Sequence, residues 1–221
     1  MLTPDRKQLL RKENLMRAEV IPGLIITASR FEIVAAGVAE HAPHVGPLTW
    51  EEFTTPARWA AIPDLEGKVS KFECTLVTSE KVTVKVNDWY RPDTRGGEEE
   101  QIPHNHRWDS FTGHLLGDAG TGGYTELRFY RTNVDPETGR ADVEMERVTH
   151  GSPTANVLEH GVYHEIPEIL EPGTLSLMVC GYGEYGNWGH LDIHTGRVFR
   201  DQPVAGFKAM FAKLNPHLRP Q

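Results

Sequence analysis

No run of 18 consecutive apolar residues occurs anywhere in the 221-residue chain, so nothing in it reads as a membrane-spanning helix. The first twenty residues, MLTPDRKQLLRKENLMRAEV, lack the apolar core of a secretory signal and carry charge throughout. The expected location is therefore cytoplasmic. Cysteine is scarce: Cys74 and Cys180 are the only two, and in a reducing compartment a pair so far apart reads as two buried thiols rather than a bridge. Neither can anchor a multi-cysteine metal site. Positive charge is also short, with 23 basic against 31 acidic residues and a net charge of −8, which removes the usual electrostatic footprint of a nucleic-acid binder. The sequence has no Gly-x-x-x-x-Gly-Lys, Gly-x-Ser-x-Gly or Cys-x-x-Cys motif, and this disfavours P-loop, serine-hydrolase and dithiol chemistry. What remains is a partner that is a small molecule or another protein.

Glycine and proline are plentiful, at 21 and 15 residues, above their combined average usage of roughly 12%. Tight turns and many short strands follow. Residues 1–68 read as a helical and irregular segment packed on the main body. Thr3-Pro4 resembles a helix start, with Leu2, Leu9 and Met16 on one face, and residues 28–41 form a second helical pattern, with Ile25 to Thr27 open to a strand reading. Thr49 with Glu52 has the spacing of a capping box, and Thr55-Pro56 opens a further helical turn. From residue 69 the period changes to two. KFECTLVT, a Ser79-Glu80 turn and KVTVKV predict a strand pair with Val82, Val84 and Val86 on one face. Further strands are expected at 102–106, 109–116, 123–131, 142–149, 161–166, 174–180 and 187–193, with a closing helix at 204–214. The expected fold is mainly β, a jelly-roll barrel over 69–221 with a helical N-terminal elaboration and a C-terminal helix.

Eleven histidines are scattered along the chain, so arrangement decides which matter. In Pro103-His104-Asn105-His106 the two imidazoles stand at i and i+2, which on a strand places both on one face, roughly 6.6 Å apart. Both could reach one cation at about 2.1 Å. Gly161-Val162-Tyr163-His164 supplies a third histidine after a glycine turn. On facing strands the three would cap one side of a metal and leave the other open.

These residues resemble the cupin superfamily: His104-Asn105-His106 followed by Gly117 is similar to the first cupin motif, and Gly161-x-x-His164 to the second. Glu159 stands where the second motif often has proline, and the family's frequent glutamate ligand has no counterpart near Phe111. Asp109, offset by two residues, is the alternative fourth ligand. A three-histidine set resembles the cysteine-dioxygenase-like, thiol dioxygenase branch. The resemblance implies Fe(II), with Zn, Ni or Mn as alternatives, and a catalytic tyrosine beyond the third histidine at Tyr182 or Tyr185. It offers Arg91 and Arg128 as candidates to hold a substrate carboxylate. Family members often pair through strand edges or N-terminal segments, so it also allows a homodimer.

Other polar groups have plainer readings. His114 is expected to be a core histidine or to lie behind the site, and His160 could replace His164 if the register differs. Tyr124, Glu126, Arg128 and Tyr130 alternate on one strand face, either a polar barrel lining or an exposed surface. In Trp188-Gly-His190-Leu-Asp192-Ile-His194 the polar side chains share a face that reads as solvated. The functional expectation is an iron-dependent oxygenase acting with O₂ on a small organic molecule, such as a thiol or enolate. Against it stand a non-redox metal cupin of isomerase, lyase or hydrolase type, and a small-molecule-binding protein without catalysis.

Overall fold

The computed structural model describes residues 16–96, 100–183 and 188–218. The amphipathic helix expected around Leu2 and Leu9 lies outside them, as do Tyr185, Glu98 and Glu99. The N-terminal region is less helical than its capping signals predict. A hairpin, β1 (Arg17–Ile21) and β2 (Leu24–Thr27), precedes α1 (Ala28–His41), with Gly23 at φ 84° in the turn. The short helix α2 (Trp50–Phe53) carries the complete Thr49–Glu52 capping box, and Pro56–Arg58 forms a 3₁₀ turn. Then β3 (Trp59–Pro63) joins the main sheet. Its sequence WAAIP holds only five residues of alternation, too short a window to register next to the helix-start signals around it.

The strand block follows as β4 (Val69–Thr78), β5 (Thr83–Trp89), β6 (Phe111–Leu115), β7 (Gly123–Thr132), β8 (Asp142–Gly151), β9 (Ala155–Leu158), β10 (Tyr163–Ile169), β11 (Thr174–Cys180), β12 (His190–Leu191) and β13 (Val198–Phe199). Residues 102–106 form no regular strand; His104 alone pairs there, bridging His164 on one side and His190 on the other. One sheet has the order β3-β4-β5-β11-β6-β9 and the other β10-β7-β8, every pair antiparallel. From β5 onward the chain passes to the His104 bridge, back to β6, across to β7 and β8, back to β9, across to β10 and back to β11. This alternation gives strand neighbours β5-β11-β6-β9 facing His104-β10-β7-β8, which is the double Greek key of a jelly roll.

Period-two alternation then assigns every side chain to the barrel interior or to an outer layer. On β5 and β11, Val84, Val86, Leu175 and Leu177 face outward into the largest apolar cluster, with Val34 and Val38 of α1, Phe53 and Trp59. On β7 and β10, Leu127, Phe129 and Tyr163 pack outward against Leu191, with Ile193 and Val198 beside them. Both sheets are thus covered on their outer faces, and their inner faces enclose an interior of mixed apolar and polar side chains. The closing helix α3 (Phe207–Leu214) packs on β3. Cys74 and Cys180 are free and buried, and burial pushes both thiols up to about 12. No helix among the described residues is long and apolar enough to cross a membrane.

Candidate metal centre

His104, His106 and His164 converge, each offering a ring nitrogen within 4.8 Å of the others. Backbone pairing holds the first and third together, with His104 N–H donating to the His164 carbonyl at 3.1 Å and His164 N–H to the His104 carbonyl at 2.8 Å. The residue between the two motif histidines does the rest. Asn105 is buried, accepts from Gly189 N–H at 2.8 Å and donates to the His160 carbonyl at 2.9 Å, so the segment keeps its place without a strand ladder. His106 and His164 bring their Nε2 atoms to 3.0 Å. Two nitrogens at that separation, each at about 2.1 Å from a common ion, subtend roughly 90° at it, the angle between neighbouring positions of an octahedral site.

Behind His164 sits a carboxylate the sequence reading placed only in an alternating polar row. Glu126, 0% exposed, takes His164 Nδ1 at 2.7 Å, His150 Nε2 at 3.3 Å, Asn156 Nδ2 at 3.1 Å and Arg128 Nε at 2.8 Å. Burial alone would raise its pKa, but hydrogen bonds from His150 and His164 with those of Arg128 hold it far below the usual carboxylate range. An ionised Glu126 accepts from Nδ1–H of His164 and so leaves the lone pair on Nε2, which is the form a metal requires. Burial also drives His104 and His106 well below the ordinary imidazole value. Neutral imidazoles are ligands and protonated ones are not. Buried Nδ1 of His104 finds no partner among the described residues. The donor set therefore fits a divalent transition metal.

One side of the cluster opens on a small cavity of about 40 Å³. Its walls are the inward faces of both sheets: Trp89, Phe111, Ile166 and Met178 supply apolar surface, and Lys71, Asp93, Tyr124, Asn156 and Ser176 supply polar groups. Tyr124 is buried, and burial, helped by the charge of Glu126, raises its pKa further, so its phenol is neutral. Asn156 Nδ2 donates to its oxygen at 2.9 Å. The phenolic proton is then free to be donated elsewhere.

Several expected residues are elsewhere. Tyr182 is 51% exposed and lines a surface groove with Arg107 and Trp108, outside the cavity. Arg91 is 47% exposed and faces Asp64 at 3.8 Å. Arg128 reaches inward, but its guanidinium is committed to Glu126 and, at 2.7 Å, to Asn156, which makes it a support for the site and not a wall of it. Asp109 is exposed and does not join the cluster. His114 points outward from β6 and stacks on His41 at 3.9 Å, because the inward positions of that strand are Phe111, Gly113 and Leu115. His160 sits in an outer groove with its Nδ1 near the Trp108 carbonyl. The face expected to be solvated at 188–194 is partly buried: His190 is 9% exposed and stacks on Phe199 beside His104, because the β12–β13 hairpin covers the small sheet. Glu126 was within reach of the sequence through its alternation with Tyr124 and Arg128. Lys71, Asp93 and Asn156 carried no local signal.

A jelly roll with a three-histidine cluster beside an interior cavity is the class that strand order and site together define. No protein-family profile matches the chain, and no curated protein does. Among solved structures, KdgF from a Halomonas species is 17% identical, with 56% of this chain aligned to 86% of that one at a TM-score of 0.33. Hydroxypropylphosphonic acid epoxidase from S. wedmorenis is 12% identical over 58% of this chain and 57% of its own, at 0.36. Oxalate decarboxylase from Lactobacillus farciminis is 12% identical over 54% of this chain and 31% of its own, at 0.33. The chain thus spans less than two thirds of the last two.

Proposed function

We propose that the protein is a mononuclear non-haem metal enzyme in which His104, His106 and His164 hold Fe(II), and that it oxidises a small organic molecule with O₂. The observation that carries this reading is a three-nitrogen set, fixed on one side by Glu126 and open on the other to a closed-in cavity. When bound, Fe(II) would supply one-electron chemistry and coordination positions for substrate and dioxygen. The chain supplies the rest. Glu126 keeps the proton of His164 on Nδ1. Trp89, Phe111, Ile166 and Met178 exclude water from the space beside the cluster. Tyr124, with its acceptor side filled by Asn156, can donate a hydrogen bond to a bound anion. Three neutral ligands leave the full charge on a divalent ion, which favours an anionic chelating substrate.

The test has two parts. Protein purified without an affinity tag should contain about one metal ion per chain. His104→Ala, His106→Ala and His164→Ala should each lower that occupancy greatly, while His194→Ala and His217→Ala should not. An oxygen electrode should then record O₂ uptake by the iron-loaded protein, and not by His104→Ala, with small thiols screened first and enolisable diketones second. Tyr124→Phe should slow uptake while retaining the metal. A metal-bound protein that consumes no O₂ but isomerises or hydrolyses a substrate under nitrogen would establish the Lewis-acid reading instead. Absence of stoichiometric metal would favour a binding protein without catalysis.

A further inference from the structure

The outer face of the small sheet carries a second concavity, a groove of about 550 Å³ between β7, β10 and the β12–β13 hairpin. Alternation separates it from the metal centre. Asn105 and Tyr163 line the groove, whereas His104, His106 and His164, one position away on the same segments, line the interior cavity. Arg131 of β7, half-buried, donates from Nε to the Gly196 carbonyl at 2.7 Å and from Nη2 to the Gly139 carbonyl at 3.0 Å. The Tyr163 hydroxyl is its third polar neighbour. Across the groove Arg200 lies 5.7 Å from the ring of Trp188, which is exposed. Neither arginine forms an ion pair among the described residues, and no carboxylate among them lines the groove. Glu159 and Asp201, the acidic neighbours of His160 and Arg200 in sequence, are exposed and lie outside it. In a chain of net charge −8, two guanidiniums thus face one concavity with no countercharge in its walls.

From this arrangement we infer that the groove binds an aromatic ring bearing a phosphate, of about the size of a nucleotide. Arg131 and Arg200 take the phosphate, and the Trp188 indole stacks on the ring. A guanidinium has five N–H donors in a rigid fork, so Arg131 keeps donors beyond those its three neighbours use. Those neighbours are neutral and leave its charge uncompensated, and a cleft lined by one sign of charge concentrates the opposite ion. They also fix the side chain before the ligand arrives, which lowers the ordering cost of binding. An exposed indole beside a guanidinium offers a planar ring both stacking and a cation at its edge. The volume lies within the range of small-molecule sites. This site stands apart from the metal reading and does not depend on it.

The experiment is equilibrium dialysis of the full-length protein against AMP, adenosine and inorganic phosphate. Wild type should bind one AMP per chain, about tenfold or more tighter than it binds either adenosine or phosphate. Arg200→Gln should weaken AMP about fivefold or more and leave adenosine within about twofold of wild type. Trp188→Leu should weaken AMP and adenosine together and leave phosphate unchanged. Both side chains are exposed, so each variant should fold, and near-UV circular dichroism checks this. His104→Ala, on the interior side, should bind AMP as wild type does. No saturable binding of AMP overturns the inference, as does AMP binding that both groove variants leave unchanged. Loss of AMP binding in His104→Ala with both groove variants unaffected also overturns it and places the ligand at the histidine cluster. Equal affinity for AMP and phosphate would leave an adventitious anion contact only and remove the aromatic site.

Discussion

A carboxylate buried without donors raises its own pKa until it protonates; Glu126 escapes this because four side chains donate to it. The same contacts make it a positioning residue for His164. Glu126→Gln removes the charge and replaces one acceptor oxygen with a donor, so the tautomer of His164 is no longer enforced. Metal affinity should fall about 10–100-fold, the usual effect of removing such a partner, as measured by competition with a chromophoric chelator. The metal-free variant should keep the near-UV spectrum of the wild type. Affinity equal to that of wild type would show that the Glu126–His164 contact does not orient the ligand. Local sequence showed the histidines through their spacing and the glycine turn. It placed Glu126 only in an alternating polar row and not beside the histidines, because the carboxylate lies 38 residues from His164 and meets it only across a strand pair.

The helices and the edge of the large sheet follow a similar division. Thr27 accepts from Arg30 N–H at the start of α1, and the capping box opens α2, both local events readable from a few neighbouring residues. β3 is different, since it is an edge strand and exposes unpaired backbone groups on its outer side. Asn215, just after α3, closes that edge: its Oδ1 accepts from Ala61 N–H at 2.7 Å and its Nδ2 donates to the Ala61 carbonyl at 2.8 Å, with the side chain 1% exposed. The amide thus imitates one residue of a further strand. Asn215→Ala would leave both backbone groups buried without partners and should cost roughly 2–4 kcal/mol. Urea denaturation is the check, with the midpoint lowered and the slope unchanged. A loss below about 0.5 kcal/mol would mean that water satisfies Ala61 as well as the amide does.

Across the whole molecule, α1 is tied to the large sheet by an ion pair beneath it. Asp88 on β5, 0% exposed, contacts Arg30 of α1, which also donates to the Gly173 carbonyl at 3.2 Å, and Tyr90 Oη donates to Asp88 at 3.3 Å. Burial raises the Asp88 carboxyl to about 6 despite Arg30. The folded chain then holds this proton more tightly than the unfolded chain, whose aspartate titrates near 3.9. Stability from this group is accordingly greatest below about pH 4, falls as pH rises toward about 6 and is level above that. The span corresponds to roughly 2–3 kcal/mol. Asp93 and Glu126, held below their ordinary values, act in the opposite sense at lower pH. Comparison with Asp88→Asn isolates the effect: between pH 4 and pH 7 the variant should gain roughly 2–3 kcal/mol relative to wild type in urea titrations. A constant difference across that range would show that Arg30 keeps Asp88 ionised throughout.

The sequence alone determined the local matters: the helical pattern over 28–41 and the helix start at Thr49, the alternation that makes a strand block from residue 69, and the histidine spacing at 104, 106 and 164. Each depends on residues within a few positions of one another, where backbone geometry fixes which side chains share a face. Only the tertiary structure decided which polar face points into the barrel, because Tyr124, Glu126 and Arg128 alternate equally well toward solvent or interior until an outer layer covers the strand. That layer is the β12–β13 hairpin, and its position also buries His190, which the sequence left on a solvated face. The same long-range closure placed Tyr182 and Arg91 outside and brought Lys71, Asp93 and Tyr124 to one cavity. Contacts between strands distant in sequence leave no periodic trace in it, since pairing partners are chosen by the fold as a whole.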